Sequence, residues 1–174
     1  PEEDSAWRST AAMALGDAHS IQGEMAVAHQ ARLEALEASK ATGNLYLIML
    51  TSLRLSVTLR QRGRLQQVLT ICRHLMQLAE ENGLGQTAMA GWLLTTWGEV
   101  LAEVNSLDDA TDKARKGVGL TESGQDVALP VLGWSYLGLV RVLFSRGDMA
   151  GAWETVQKME NMARESHVPS WITN

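Results

Sequence analysis

Four histidines and a single cysteine are the residues best suited to metal ligation or nucleophilic attack in this chain. His19, His29, His74 and His167 fall in different segments, and no two have the four-residue spacing that sets a pair of imidazoles on one helix face. Cys72 stands two residues before His74, a step that sends side chains to diverging sides of a helix. It also belongs to an apolar stripe, which points to packing rather than attack. Glu99 and Glu103 are spaced to meet on one helix face, but that spacing alone does not single out acid–base work. Neither a G-x-S-x-G turn nor a G-x-x-x-x-G-K-[ST] phosphate loop occurs. The expectation is a protein that is not an enzyme and needs no metal or cofactor.

Tryptophan carries more information. Six occur against one Phe and two Tyr, and two of them share a register. Trp92 and Trp134 each follow a glycine and each precede an apolar repeat anchor, Leu107 or Met149, by 15 residues. The same inward line continues through Thr95 and Leu137 to Glu99 and Arg141, and Met89 and Trp7 extend it toward the helix starts. The second repeat offers Leu50, Leu53 and Val57, and the first Met13 and Asp17. One reading is an aromatic-walled site for a small molecule, contacted by Trp92, Trp134, Thr95, Glu99, Arg141, Leu137, Met89 and Leu53. The other is packing of large side chains between neighbouring helices, with Glu99 and Arg141 simply paired across them. Trp97 and Trp153 fall on the buried register, where packing is expected.

The elements that position these residues come from an internal repeat. Gly23-Glu24-Met25, Gly63-Arg64-Leu65, Asn105-Ser106-Leu107 and Gly147-Asp148-Met149 are each followed three residues later by Ala28, Val68, Ala110 and Ala152. Their anchors are separated by 40, 42 and 42 residues. A second punctuation, Gly43-Asn44, Asn82-Gly83, Ser123-Gly124 and Ser166-His167, interleaves with the first, so each repeat holds two elements. Leu65, Val68, Leu69, Cys72, Leu75, Met76 and Ala79 recur at helical steps. Helix A is expected over about 6–21, 45–61, 86–104 and 127–145, and helix B over 24–42, 64–82, 107–122 and 148–165. Ser106 is the expected N-cap of the third B helix, with Asp109 in its first turn. Gly16 and Gly98 fall where the tetratricopeptide repeat places a small residue to let its two helices approach.

The fold predicted is an all-α, right-handed α-solenoid of four antiparallel helix pairs in one domain. The repeats span about 1–43, 44–83, 84–124 and 125–167, and 168–174, with Pro169-Ser170-Trp171, reads as the start of a fifth. The A helices are nearly uncharged, with only Arg54 and Arg60 between 44 and 61 and only Arg141 between 127 and 145. The B helices are charge-rich, as at Asp108, Asp109, Asp112, Lys113, Arg115 and Lys116. In such stacks the A helices line an inner concave wall and the charged run faces solvent.

The bulk properties agree. A chain of 174 residues, 45% hydrophobic and 20% charged, can bury a sizeable core. A net charge of -5 supplies no basic face for nucleic acid. Uncharged stretches such as 41–53 and 83–98 fall short of the roughly 18 to 20 residues a membrane span needs. A lone cysteine and the lack of an apolar leader fit a cytoplasmic setting.

At this point the order and spacing of motifs resemble a known family. Leu78-Ala79-Glu80-Glu81-Asn82-Gly83-Leu84, then Ala90-Gly91, then the run from Gly98 to Ala110 look like the helical sensor region of MalT-like, large ATP-dependent LuxR-type transcriptional regulators. The likeness extends through Trp7-Arg8, Gln22-Gly23-Glu24-Met25, Gly63-Arg64-Leu65 and Arg146-Gly147-Asp148-Met149 to Pro169-Ser170-Trp171, nearly the whole chain. It departs from the pattern at Asn105, where the turn glycine is missing, and at Val104, where an aromatic is common. The resemblance implies a tetratricopeptide-like fold that recognises a small-molecule inducer. It also implies a parent activator carrying an NTPase module and a DNA-binding helix-turn-helix, with homo-oligomers as a further expectation. A rival of another class is a scaffold that accepts a peptide or partner helix in the same groove.

Overall fold

Regular helical spacing, with only three prolines in the chain, leaves the backbone little alternative to helix. The computed structural model of the chain describes residues 2–124 and 129–165. Among these the backbone forms eight helices: α1 (Glu2–Ile21), α2 (Met25–Lys40), α3 (Leu45–Gln61), α4 (Leu65–Glu81), α5 (Ala88–Glu103), α6 (Leu107–Ser123), α7 (Leu129–Arg146) and α8 (Met149–Glu165). The expected A and B helices are all present, and the largest difference is an α1 that starts four residues early. Consecutive helices pack as pairs, α1 with α2, α3 with α4, α5 with α6 and α7 with α8, as a tetratricopeptide-like repeat requires. Two compact units result, Pro1–Gly83 and Leu84–Asn174, each holding two pairs. Their boundary falls between the second and third repeats.

One backbone device makes all four A-to-B turns. Gly23, Gly63, Asn105 and Gly147 take φ values of 81°, 69°, 63° and 82°. The next amide in each turn reaches back five residues: Glu24 to His19, Arg64 to Leu59, Ser106 to Leu101 and Asp148 to Leu143, all at 2.8–2.9 Å. The amide of the left-handed residue itself reaches back three. This pair of bonds closes the helix C-terminus and satisfies its last carbonyls. Asn105 therefore does the work of the missing glycine, since asparagine tolerates the left-handed region better than other side chains. Asn105→Gly should leave stability unchanged or raised, and Asn105→Val should cost about 1–2 kcal/mol in urea unfolding. Equal midpoints for the two variants would contradict this assignment.

The same turn explains a misplaced expectation. Ser106 precedes α6, but its hydroxyl donates to Asp109 Oδ2 at 3.0 Å instead of accepting a backbone amide. Its ψ of 67° differs from the extended 163° of Thr87, whose side chain does cap α5 by accepting from Ala90 N. Asn44 caps α3 in the same way through Leu47 N. Where the turn has closed the preceding helix, the hydroxyl is not aimed at the next one.

Within pairs, small residues set the helix spacing. A Cβ on Gly98 would lie 2.7 Å from the Ala110 carbonyl oxygen, and one on Gly16 would lie 2.9 Å from Arg32 Cγ. Both glycines thus serve the close approach expected of them. In the first unit Val68, Leu69, Cys72, Leu75, Met76 and Ala79 form the buried stripe of α4. Burial pushes the Cys72 thiol up to about 12, so it stays protonated and packs. In the second unit α5 is buried nearly all round by α6 and α7. Tyr136, Val142 and Leu143 pack with Ala110, Ala114 and Val118 into one cluster. Beside it Tyr136 Oη and Lys158 Nζ both donate to Glu122 Oε1 at 2.5 Å, joining α6, α7 and α8. Burial alone would raise the Glu122 carboxyl, but these two donors outweigh it and hold it below the usual value.

Trp153 departs from expectation, being 64% exposed. It stands four residues after its anchor, like His29 and Thr111. Those two meet the following A helix, at Thr58 and Arg146 respectively. Asp108, Asp109, Asp112, Arg115 and Lys116 are exposed, as a solvated face requires. Lys113 is half-buried, its ammonium 4.0 Å from the Trp97 ring centroid.

Candidate functional site

The inward line of the second unit becomes three rungs between α5 and α7. At the first, Trp92 and Trp134 stack with centroids 4.7 Å apart and planes 26° from parallel. At the second, Gly138 lies against Thr95: a Cβ there would stand 3.3 Å from Thr95 Cβ. The Thr95 hydroxyl turns away to donate to the Trp92 carbonyl at 2.8 Å. At the third, Arg141 Nη1 donates to Glu99 Oε1 at 2.7 Å. An aromatic, a small and an ionic contact thus succeed one another at each helical turn. Opposite charges on neighbouring helices contribute little at an exposed Arg141, and the stacked rings contribute more, about 0.5–1.5 kcal/mol beyond the area they bury.

Packing accounts for much of the expected site. Trp92 is 5% exposed, and Thr95 and Met89 are still more buried. Leu53 is fully buried within the first unit. Trp134 remains half-open, and Leu137 and Arg141, three and seven residues further along α7, are exposed. These three form a stripe with Trp92 behind it. Trp7, in the first unit, is exposed on α1.

The first unit holds two features that the sequence reading did not single out. Asp17 on α1 joins two arginines: Arg32 Nη2 donates to Oδ1 at 2.9 Å and Arg54 Nη2 to Oδ2 at 2.5 Å. Arg32 is 3% exposed, and its Nε and Nη1 have no hydrogen-bond partner. Burial pushes the Arg54 guanidinium below its usual value and Asp17 pulls it back up. The signal for this cluster lay in the register. Arg32 stands seven residues after its anchor, where the other repeats place Cys72, Ala114 and Val156.

The second feature is a cavity of about 520 Å³ between α2, α3 and α4. Leu33, Leu55, Leu59 and Ile71 give it an apolar lining, and His29, Gln67 and Thr70 supply polar groups. His29 Nδ1 lies 3.3 Å from Thr58 Oγ1, whose own proton goes to the Leu55 carbonyl, so the imidazole donates. Burial, and then the charges of Arg62 and Arg32, hold His29 below its usual value and neutral at pH 7.

Among the described residues no group of His, Cys, Asp or Glu could hold a metal ion, and no helix is long and apolar enough to cross a membrane. His19 pairs with Glu24 and His74 is exposed, while His167 lies outside the described residues. No curated protein matches the chain. Repeated helix pairs, four copies of one turn and a line of stacked and paired contacts agree with what the whole chain matches, a family described as the MalT-like TPR region, over residues 1–174. The protein belongs to that family, the tetratricopeptide-type helical-repeat region of MalT-like regulators.

Proposed function

We propose that this chain is the effector-sensing part of a cytoplasmic MalT-like transcriptional activator, and that the effector docks on the α7 stripe of Trp134, Leu137 and Arg141. The observation that carries the reading is the half-buried Trp134 ring stacked on Trp92, with an exposed apolar and an exposed cationic group beside it. A planar or ring-shaped ligand meets the solvent-facing part of the indole, its apolar edge meets Leu137, and Arg141 addresses an acceptor. Glu99, Thr95 and Met89 act from behind this surface on α5, and Leu53 serves the packing of the first unit. The parent's NTPase and helix-turn-helix parts read the outcome. Binding shifts the parent only through unequal affinity for its two states.

Native mass spectrometry of the chain mixed with a cytosolic metabolite extract tests this. An adduct of small-molecule mass is expected, with occupancy reduced about tenfold in Trp134→Ala, as the loss of one aromatic contact predicts. Arg141→Ala should weaken it as well, and the helical circular dichroism should persist in both variants. No adduct, or one held equally by both variants, would remove the stripe from consideration.

A further inference from the structure

We infer that the cavity between α2, α3 and α4 is a second ligand site, one that takes a small apolar acid. Its hydrocarbon part lies against Leu33, Leu55, Leu59 and Ile71, and its anionic group lies on the His29 side, where Arg62 supplies positive charge. The site lies wholly within the first unit and does not depend on the tryptophan stripe.

Size, lining and charge lead to this chemistry. About 520 Å³ is in the range of small-molecule sites, roughly 300–1,000 Å³, and is far more than one water fills. The lining leucines and isoleucine reward an apolar body. No carboxylate lines the cavity, and the charges acting on His29 are two arginines. Arg32 is already paired with Asp17, so an anion entering there meets chiefly the charge of Arg62, which also disfavours a cation. Gln67 at the start of α4 can donate to the anionic group through its side-chain amide, whereas the Thr70 hydroxyl already donates to the Gln66 carbonyl at 2.9 Å. The neutral imidazole neither competes for the anion nor screens the field.

The probe is anilinonaphthalene sulfonate, an apolar body with one fixed negative charge, compared with uncharged phenylnaphthylamine. Calorimetry and fluorescence on the 174-residue chain should show saturable one-to-one binding of the sulfonate, with the neutral probe weaker by about five- to tenfold. Decanoate should displace the sulfonate and decanol should not. Leu33→Trp, which fills the cavity, should abolish binding, with Ile71→Trp as the alternative filling variant if the first fails to fold. Arg62→Gln, on an exposed side chain, should erase most of the preference for the charged probe. Binding retained in the folded filling variant would place the probe elsewhere on the surface. Absence of saturable binding, or an unchanged preference in Arg62→Gln, would overturn the inference.

Discussion

Gly117→Ala is expected to destabilise the chain by about 1–3 kcal/mol, whereas Gly119→Ala, two residues on in the same helix, is expected to stabilise it by about 1 kcal/mol. Alanine is a better helix former than glycine at both positions, so propensity alone predicts the same sign for each. Packing reverses it at one of them. A Cβ on Gly117 would sit 2.5 Å from the Gly91 carbonyl oxygen and 2.9 Å from Thr95 N, and one on Gly119 would meet nothing within 4 Å. The obstructing atoms are backbone, which no rotamer change can move. Relieving the clash means separating α5 from α6 by up to about 1 Å, and a gap of that size forfeits a quarter to a half of each dispersion contact along the seam. Gly91→Ala should behave like Gly117→Ala, because its Cβ would meet the Gly117 carbonyl at the same 2.5 Å. Urea unfolding followed by circular dichroism reads both signs. Midpoints that move the same way in Gly117→Ala and Gly119→Ala would show that the seam yields.

That seam was only partly legible in the sequence. Gly98 stood at a position the repeat reserves for a small residue, and its contact with Ala110 follows. Gly91 drew notice as the neighbour of Trp92 and in the Ala90-Gly91 pair of the family pattern, and Gly117 had no register to mark it. The helix ends and the turn rhythm were readable because they rest on local physics: periodic apolar residues and a left-handed residue after each A helix. The Trp92–Trp134 stack was readable too, since equal distance from equivalent anchors places two residues side by side. Exposure was not. Trp153 is exposed in a register that buries Thr111, which meets Arg146 of the following A helix. Likewise Thr95 and Met89 share the inward line with Leu137 and Arg141, yet α6 and α7 close over the first pair. Periodicity assigns a residue to a face; which neighbour covers that face is a tertiary fact. The cavity in the first unit had no signal at all, because it arises from spacing among three helices that each look ordinary alone.

Asp17→Asn is expected to cost about 3–5 kcal/mol, while Arg32→Met in the same cluster should be close to neutral. The asymmetry follows from counting charges. With Asp17 in place, two guanidinium groups share one carboxylate, and Arg32 still leaves Nε and Nη1 without partners. Removing the carboxylate's charge strands the 3% exposed Arg32 guanidinium in a poorly solvated region, where its desolvation is no longer offset and the repulsion of nearby Arg54 is added. Removing Arg32 instead leaves a matched Asp17–Arg54 pair and eliminates two buried donors that satisfy nothing. Methionine keeps an unbranched chain against Gly16, so little packing is lost. Because Arg32 is sealed from solvent, the cost of Asp17→Asn should change little between low and high salt, unlike that of an exposed pair. Chemical denaturation at two salt concentrations separates these outcomes. A loss below about 1 kcal/mol for Asp17→Asn, or an equal loss for Arg32→Met, would mean that solvent reaches the cluster and hydrates its charges.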